Sequence, residues 1–243
     1  LIVSSVAAGE DDGTGMQGVA PSASLHLASY NQNNGNTYYP THWANATDNA
    51  SSAVVQNNSW GIDYQINRLM SDISSNSWTK AYGIAQKINS SGLTANEASA
   101  NAYINSLNNF QNHGVIVYAL SNTTANTDAD FQAALPVLFS QLEEAWITAV
   151  NVEITGSSGN ETYTRMSAPC GSTAKYCLGA DGYQIVGAAY DDSNTSSYWA
   201  GVSGTSFVAP QISGAIAVLA EAFPNHTPAE LTDRLLASAD NTF

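Results

Sequence analysis

The run SGTSFVAPQISGAIAVLAEAFP (203–224) joins a conformationally free residue to a hydroxyl and then to a helical pattern. Gly204 permits backbone shapes closed to other residues, just ahead of Thr205 and Ser206. Beyond them Ala209, Ile212, Ser213, Ile216, Ala217 and Ala220 recur at helical spacing, which predicts a buried helix over 205–223 with Ser206 at its start. A helix N-terminus presents unpaired N–H groups and favours negative charge. A serine placed there is suited to attack a carbonyl, because the oxyanion it generates finds donors already in position. Pro210 falls within the first turns, where a missing N–H costs little. Taken alone, Gly-Thr-Ser reads as a helix cap; the longer pattern around it carries the chemical reading.

Such a serine needs a base. The four histidines lie apart: His26 in or beside a strand, His42 in a loop, His113 at a helix end and His226 near a cap, each read as structural or solvated. None has the setting of a general base, and without one a serine hydroxyl is a weak nucleophile. No Gly-X-Ser-X-Gly elbow is present, which argues against the esterase version of the same chemistry. Cys170 and Cys177 have no Cys or His beside them, so no metal site is expected there. Two free thiols or a short-loop disulfide remain, and the disulfide in an oxidising compartment is the better reading. No cofactor is required by this chemistry, and the sequence says nothing of structural calcium.

The elements that must position Ser206 alternate between apolar, β-rich runs and helical patterns. Strands are expected at 24–29, 53–56, 115–120, 146–152 and 184–186, and helices at 94–112, 205–223 and 228–239. The last helix opens with Thr227 as N-cap, Pro228 at the first position and Glu230 closing a capping box. Segments 31–37 and 123–127, rich in Asn, Ser and Thr, read as loops. Strands separated by helices predict an α/β fold with a mostly parallel sheet, and function in such sheets gathers at the strand C-terminal ends.

The chain has 243 residues, with six Lys and Arg against twenty Asp and Glu, a net charge of −14. That balance argues against a nucleic-acid partner, which needs a basic face. No uncharged apolar run approaches the ~18 residues needed to cross a bilayer, so no membrane contact is expected from this segment. The apolar start lacks a basic region and makes a poor signal peptide.

GTSFVAPQISG (204–214) resembles the Gly-Thr-Ser-Met-Ala-Ala-Pro-His-Val-Ser-Gly signature around the nucleophile of the subtilisin family. Gly204, Thr205, Ser206, Ala209, Pro210, Ser213 and Gly214 match, while Phe207, Val208, Gln211 and Ile212 depart. VVQNNSWG (54–61) resembles the strand whose final Ser-X-Gly pairs with substrate backbone. VIVYALSN (115–122) resembles the strand ending Ala-Ala-Gly-Asn. The resemblance implies a serine endopeptidase with a subtilisin-like three-layer fold, occupying 1–243 and lacking its N-terminal part. It gives Ser206 as nucleophile and Asn122 as oxyanion donor. Substrate would lie along Ser59, Trp60 and Gly61 and against Ala119, Leu120 and Ser121, with Leu120 and Ser121 narrowing or reshaping the pocket. GTGMQGVAPSASL (13–25) resembles the loop and strand after the family's histidine helix, which puts the triad histidine three residues before Leu1 and the aspartate further upstream. The chain alone is therefore expected to be inactive, the alternative being a pseudo-protease that binds polypeptide. A longer insert spans 62–112.

ALPVLFSQLEEAWITAVNV (134–152) and CGSTAKYCLGADGYQI (170–185) are similar to segments of serine autotransporters, with Asp181 where those carry Pro. That branch implies an extracellular or cell-surface protein of a Gram-negative bacterium, whose parent carries an outer-membrane β-barrel, and polypeptide as substrate.

Overall fold

The computed structural model describes residues 1–13, 15–31, 35–189 and 198–240. Its central sheet is built from β1 (Val55–Asn58), β2 (Val115–Ala119), β3 (Trp146–Ser157) and β5 (Cys177–Asp181), all parallel neighbours, with β4 (Asn160–Arg165) folded back on the second half of β3 as an antiparallel hairpin. A separate antiparallel pair joins β6 (Ile185–Ala188) to β7 (Tyr198–Val202). The α/β class with a mostly parallel sheet is thus what the chain adopts.

Alternation along the strands decides which helices cover which face, because successive side chains point to opposite sides. On β2, Val115, Val117 and Ala119 join Ile147 and Ala149 of β3 in one apolar cluster. That cluster packs on α7 (Thr205–Ala222) and on Leu231 of α8 (Pro228–Ser238). Ile116, Tyr118, Trp146 and Val150 face the other way. They meet α2 (Tyr39–Asn49) and the helices α3 (Ile66–Asn76), α4 (Lys80–Ser90) and α5 (Glu97–Phe110). The insert at 62–112 is therefore the helical cover of one face. Trp146 and Tyr118, both fully buried, stack with ring centroids 5.4 Å apart at its centre. A parallel sheet covered on both faces is the usual requirement for strands this apolar.

Local chemistry fixes the helix ends. Asn96 and Ser99 form a reciprocal capping box at α5, and Thr227 and Glu230 form one at α8, with Thr227 N–H donating to Glu230 Oε2 at 2.7 Å. Cys170 and Cys177 are joined in a disulfide that brackets the 3₁₀ turn Gly171–Tyr176 and delivers the chain into β5. By composition and length α7 could span a bilayer, yet here its apolar positions are spent on the sheet and on α1 (Ile2–Ala8).

Two expectations are corrected. Residues 24–29 form no strand: they have no regular structure, are mostly exposed, with Leu27 71% accessible, and have no ladder partner among the described residues. An apolar alternation becomes a strand only when an edge is there to pair with it. His42 lies not in a loop but inside α2, 3% exposed, with Nε2 2.6 Å from the Ser29 carbonyl. The helix forms there because Pro40 sits in its first turn, where its missing N–H costs nothing. Other boundaries move by a few residues, except that β3 runs on to Ser157 to form the hairpin. Residues 32–34 of the expected 31–37 loop lie outside the described set.

Candidate active site at the start of the long buried helix

The first turn of α7 is held from three sides. Gly204, its N-cap, has φ 147°, a region that side chains rarely enter. A Cβ there would lie 3.0 Å from Asn122 Oδ1, so glycine also makes room for that side chain. Thr205 N–H donates to Asn122 Oδ1 at 2.9 Å. The Thr205 hydroxyl lies within hydrogen-bond reach of the Leu120 carbonyl at 2.5 Å and of the same Oδ1 at 3.1 Å. Because Oδ1 accepts from Thr205, the amide orientation is set, and Nδ2 of the exposed Asn122 is left as a donor.

Ser206 follows, half-buried, on the same turn. Its Oγ donates to the Ser59 carbonyl at 3.3 Å, and Ser59 Oγ donates to the Ser206 carbonyl at 2.9 Å. The second bond has a cause four residues on: Pro210 has no N–H, so the Ser206 carbonyl lacks its helical partner and takes the Ser59 hydroxyl instead. Ser59 is steadied by Asn57 Nδ2 at 2.9 Å, and Ser213 Oγ lies 3.2 Å from Asn57 Oδ1.

The residues expected to flank a substrate come together. Asn58 is opposite Tyr118 in the β1–β2 ladder, so 59–61 and 119–122 leave adjacent strand ends side by side. Their side chains do not all face a cleft. Leu120 is 2% exposed and packs in the core, which corrects the expectation that it narrows the pocket. An odd–even alternation continues one residue past β2 and turns it inward. Ala119 is buried as well. The Trp60 ring stacks on Tyr30 at 5.3 Å and tilts against Trp43 at 4.7 Å, so it belongs to an aromatic cluster.

Two aspartates that sequence reasoning missed tie these walls together. Asp63 accepts from Ser121 Oγ at 2.9 Å, Thr123 Oγ1 at 2.7 Å and Asn126 Nδ2 at 2.7 Å. Burial pulls its pKa upward, but those donors outweigh it and hold the carboxyl below the ordinary range. Asp130 is 1% exposed and accepts the Ser121 N–H at 2.8 Å through Oδ1. Burial pushes its pKa up to about 7, against the hydrogen bonds it accepts from backbone. The signal was faint: TDAD (127–130) reads as polar loop, and only the fold reveals that Asp130 turns inward.

No histidine, carboxylate or amine hydrogen-bonds to Ser206 Oγ among the described residues. His26 is exposed, His113 packs edge-on against Phe110, and His226 stands beside Arg234 and Phe223. Nor does any group of three potential metal-binding side chains occur among the described residues.

A serine on the first turn of a buried helix, with an oriented amide beside it at the C-terminal ends of parallel strands, places the chain among α/β serine hydrolases in architecture. The match to the subtilase family (peptidase S8) extends over residues 1–243, and the chain belongs to that family. It is 25% identical to an extracellular serine protease of Serratia marcescens over 293 aligned positions, covering 99% of this chain and 26% of that protein. It is 30% identical to the serotype-specific antigen 1 of Mannheimia haemolytica over 127 positions, 51% of this chain and 13% of that one. The chain thus spans about a quarter or less of the length of these relatives. In fold it superposes on fervidolysin from Fervidobacterium pennivorans with a TM-score of 0.65 at 20% identity, covering 98% of this chain and 32% of that one. It also superposes on the S41 psychrophilic protease with a TM-score of 0.66 at 17% identity, covering 98% and 68%.

Proposed function

We propose that this chain is the nucleophile-bearing part of a secreted serine endopeptidase, in which Ser206 forms the acyl-enzyme. The observation that carries the reading is the Asn122 amide: its Oδ1 is committed to the Thr205 N–H, so Nδ2 and the Ser206 N–H are the two donors available to an oxyanion. The edge at 59–61 accepts the substrate backbone by strand addition. Polypeptide is the substrate class that the family supports.

The general base comes from polypeptide outside these residues. A trough of about 980 Å³ is lined by residues 55–60 at the open edge of β1, by residues 24–29, by Trp43 of α2 and by Gly214 and Ala217 of α7. An extended segment lying there would pair with β1 and pass next to the residue that bonds Ser206. Export fits the relatives named extracellular serine proteases, and the resemblance of 134–152 and 170–185 to serine autotransporters favours a Gram-negative cell surface with an outer-membrane β-barrel elsewhere in the parent. The absence of a base bonded to Ser206 among the described residues favours a second reading, a polypeptide-binding pseudo-protease. Turnover decides between them: Ser206→Ala in the full-length gene product abolishes peptide hydrolysis on the first reading. A full-length protein that binds peptides but never cleaves them establishes the second.

A further inference from the structure

Strand β3 ends its α7-facing row on an amide. Ile147 and Ala149 pack toward α7, and two residues on, where the alternation calls for a third apolar side chain, stands Asn151, 1% exposed. Its Oδ1 accepts the Gly182 N–H at 3.0 Å. Gly182 follows the last residue of β5, and its own carbonyl accepts the Gly204 N–H at 2.9 Å. Gly204 is the N-cap of α7, two residues before Ser206, so a single residue links Asn151 to the turn that carries the hydroxyl. The contact has no slack: a Cβ on Gly182 would stand 2.6 Å from Asn151 Oδ1, 2.6 Å from Val208 Cγ2 and 2.8 Å from the Gly204 carbonyl oxygen.

The backbone of Asn151 is committed to the other side of the site. Its carbonyl accepts the Met166 N–H at 2.8 Å, and its N–H donates to Ser167 Oγ at 3.1 Å. The buried Ser167 hydroxyl donates in turn to the Ala168 carbonyl at 3.0 Å, and the Ala168 N–H donates to the Ser121 carbonyl at 2.8 Å. Ser121 directly precedes Asn122. Asn151 therefore stands at the fork of two short relays, one ending at Gly204 beside Ser206 and the other at Ser121 beside Asn122. An apolar side chain of similar volume would fill this place without the desolvation cost of an amide, but would leave the buried Gly182 N–H without its acceptor.

We propose that Asn151 is a positioning residue for the reaction at Ser206: by holding Gly204 and Ser121 from one point on the sheet, it fixes the spacing between the Ser206 N–H and the Asn122 amide. The proposal rests on the reading of Ser206 as the acylated serine and Asn122 as an oxyanion donor. Asn151 is itself buried and acts only through Gly182 and through 166–168. Two donors serve one oxyanion together only while their separation is kept. A misplacement of about 1 Å can cost about 10²-fold in rate. Because the relays bear on the oxyanion rather than on bound peptide, their loss lowers kcat with little change in KM.

The test compares Asn151→Leu with Thr148→Val in the full-length gene product. Thr148 lies on the same strand, fully buried, with its Oγ1 2.9 Å from Thr173 Oγ1, so its loss weakens the same sheet without touching either relay. Both variants should melt below wild type. With active sites counted by complete fluorophosphonate labelling of Ser206, kcat per site should fall about 10–10²-fold for Asn151→Leu, at a KM within about threefold of wild type. For Thr148→Val it should stay within about twofold. A rate per site that Asn151→Leu leaves unchanged, or a loss that Thr148→Val matches, overturns the positioning role and leaves the protease reading standing. Should Asn151→Leu not fold, residue-resolved hydrogen exchange of the wild-type protein decides. Gly182 and Gly204 amides as slow as those of β3 are expected, and exchange at the rate of exposed loops overturns the proposal. A wild-type protein that neither cleaves peptide nor takes the label on Ser206 overturns the reading of Ser206 and this role with it.

Discussion

Ser59 Oγ donates to the carbonyl of Ser206 at 2.9 Å, and that carbonyl is the one Pro210 leaves without a helical partner. A proline in the second turn of α7 thus creates the acceptor that docks the end of β1 against the start of the helix. Ser59→Ala leaves the Ser206 carbonyl and the Asn57 amide short of a partner. The expected cost is about 1–3 kcal/mol, read as a lower midpoint in urea with an unchanged m-value. An unchanged midpoint would show that solvent replaces the hydroxyl without loss.

Asn122→Ala removes the amide beside Ser206 and leaves the Thr205 N–H without its Oδ1 acceptor. On the proposed role of Asn122 as oxyanion donor, kcat in the full-length gene product should fall about 10²–10³-fold with a much smaller change in KM, since such a donor acts on the oxyanion rather than on bound substrate. Steady-state kinetics on one peptide substrate separate the two constants.

Gly204→Ala meets two obstacles at once: φ of 147° and a Cβ 3.0 Å from Asn122 Oδ1. Backbone strain of this kind costs of order 1–3 kcal/mol, and the Asn122 amide must also shift. The variant should unfold at lower temperature and lose turnover beyond what its remaining folded fraction explains, which parallel thermal and kinetic measurements reveal.

Asp130 ties stability to pH. Between the ordinary carboxylate value of 3.8 and about 7, the native chain holds a proton on Asp130 that the unfolded chain has released. The native state then binds more protons, so this group makes stability fall as pH rises through that window. Asp130→Asn deletes that dependence. The difference in melting temperature, variant minus wild type, should move in favour of the variant from about pH 5 to pH 8. A difference that stays flat contradicts the burial that raises this carboxyl.

Much of this architecture could be read from the residues alone, for physical reasons that differ by element. Helix α8 was legible because its capping box and Pro228 are local signals, and α7 because small and apolar residues repeat with helical period. Strands β2 and β3 were legible as apolar runs too short for helices. Residues 24–29 misled, since strand formation depends on a pairing edge that local pattern cannot supply. His42 misled because the turn-like residues before it hid a helix start at Tyr39. The aspartates at 63 and 130 were illegible, since their roles arise from loops that meet only after the sheet has formed.

The most direct test of the central claim is to treat the full-length gene product with a fluorophosphonate and map the adduct by peptide mass spectrometry. The account predicts a single modified peptide with the probe on Ser206, absent when the 243-residue chain is treated by itself. An adduct on another serine, or none on a full-length protein that still hydrolyses peptides, would contradict Ser206 as the nucleophile.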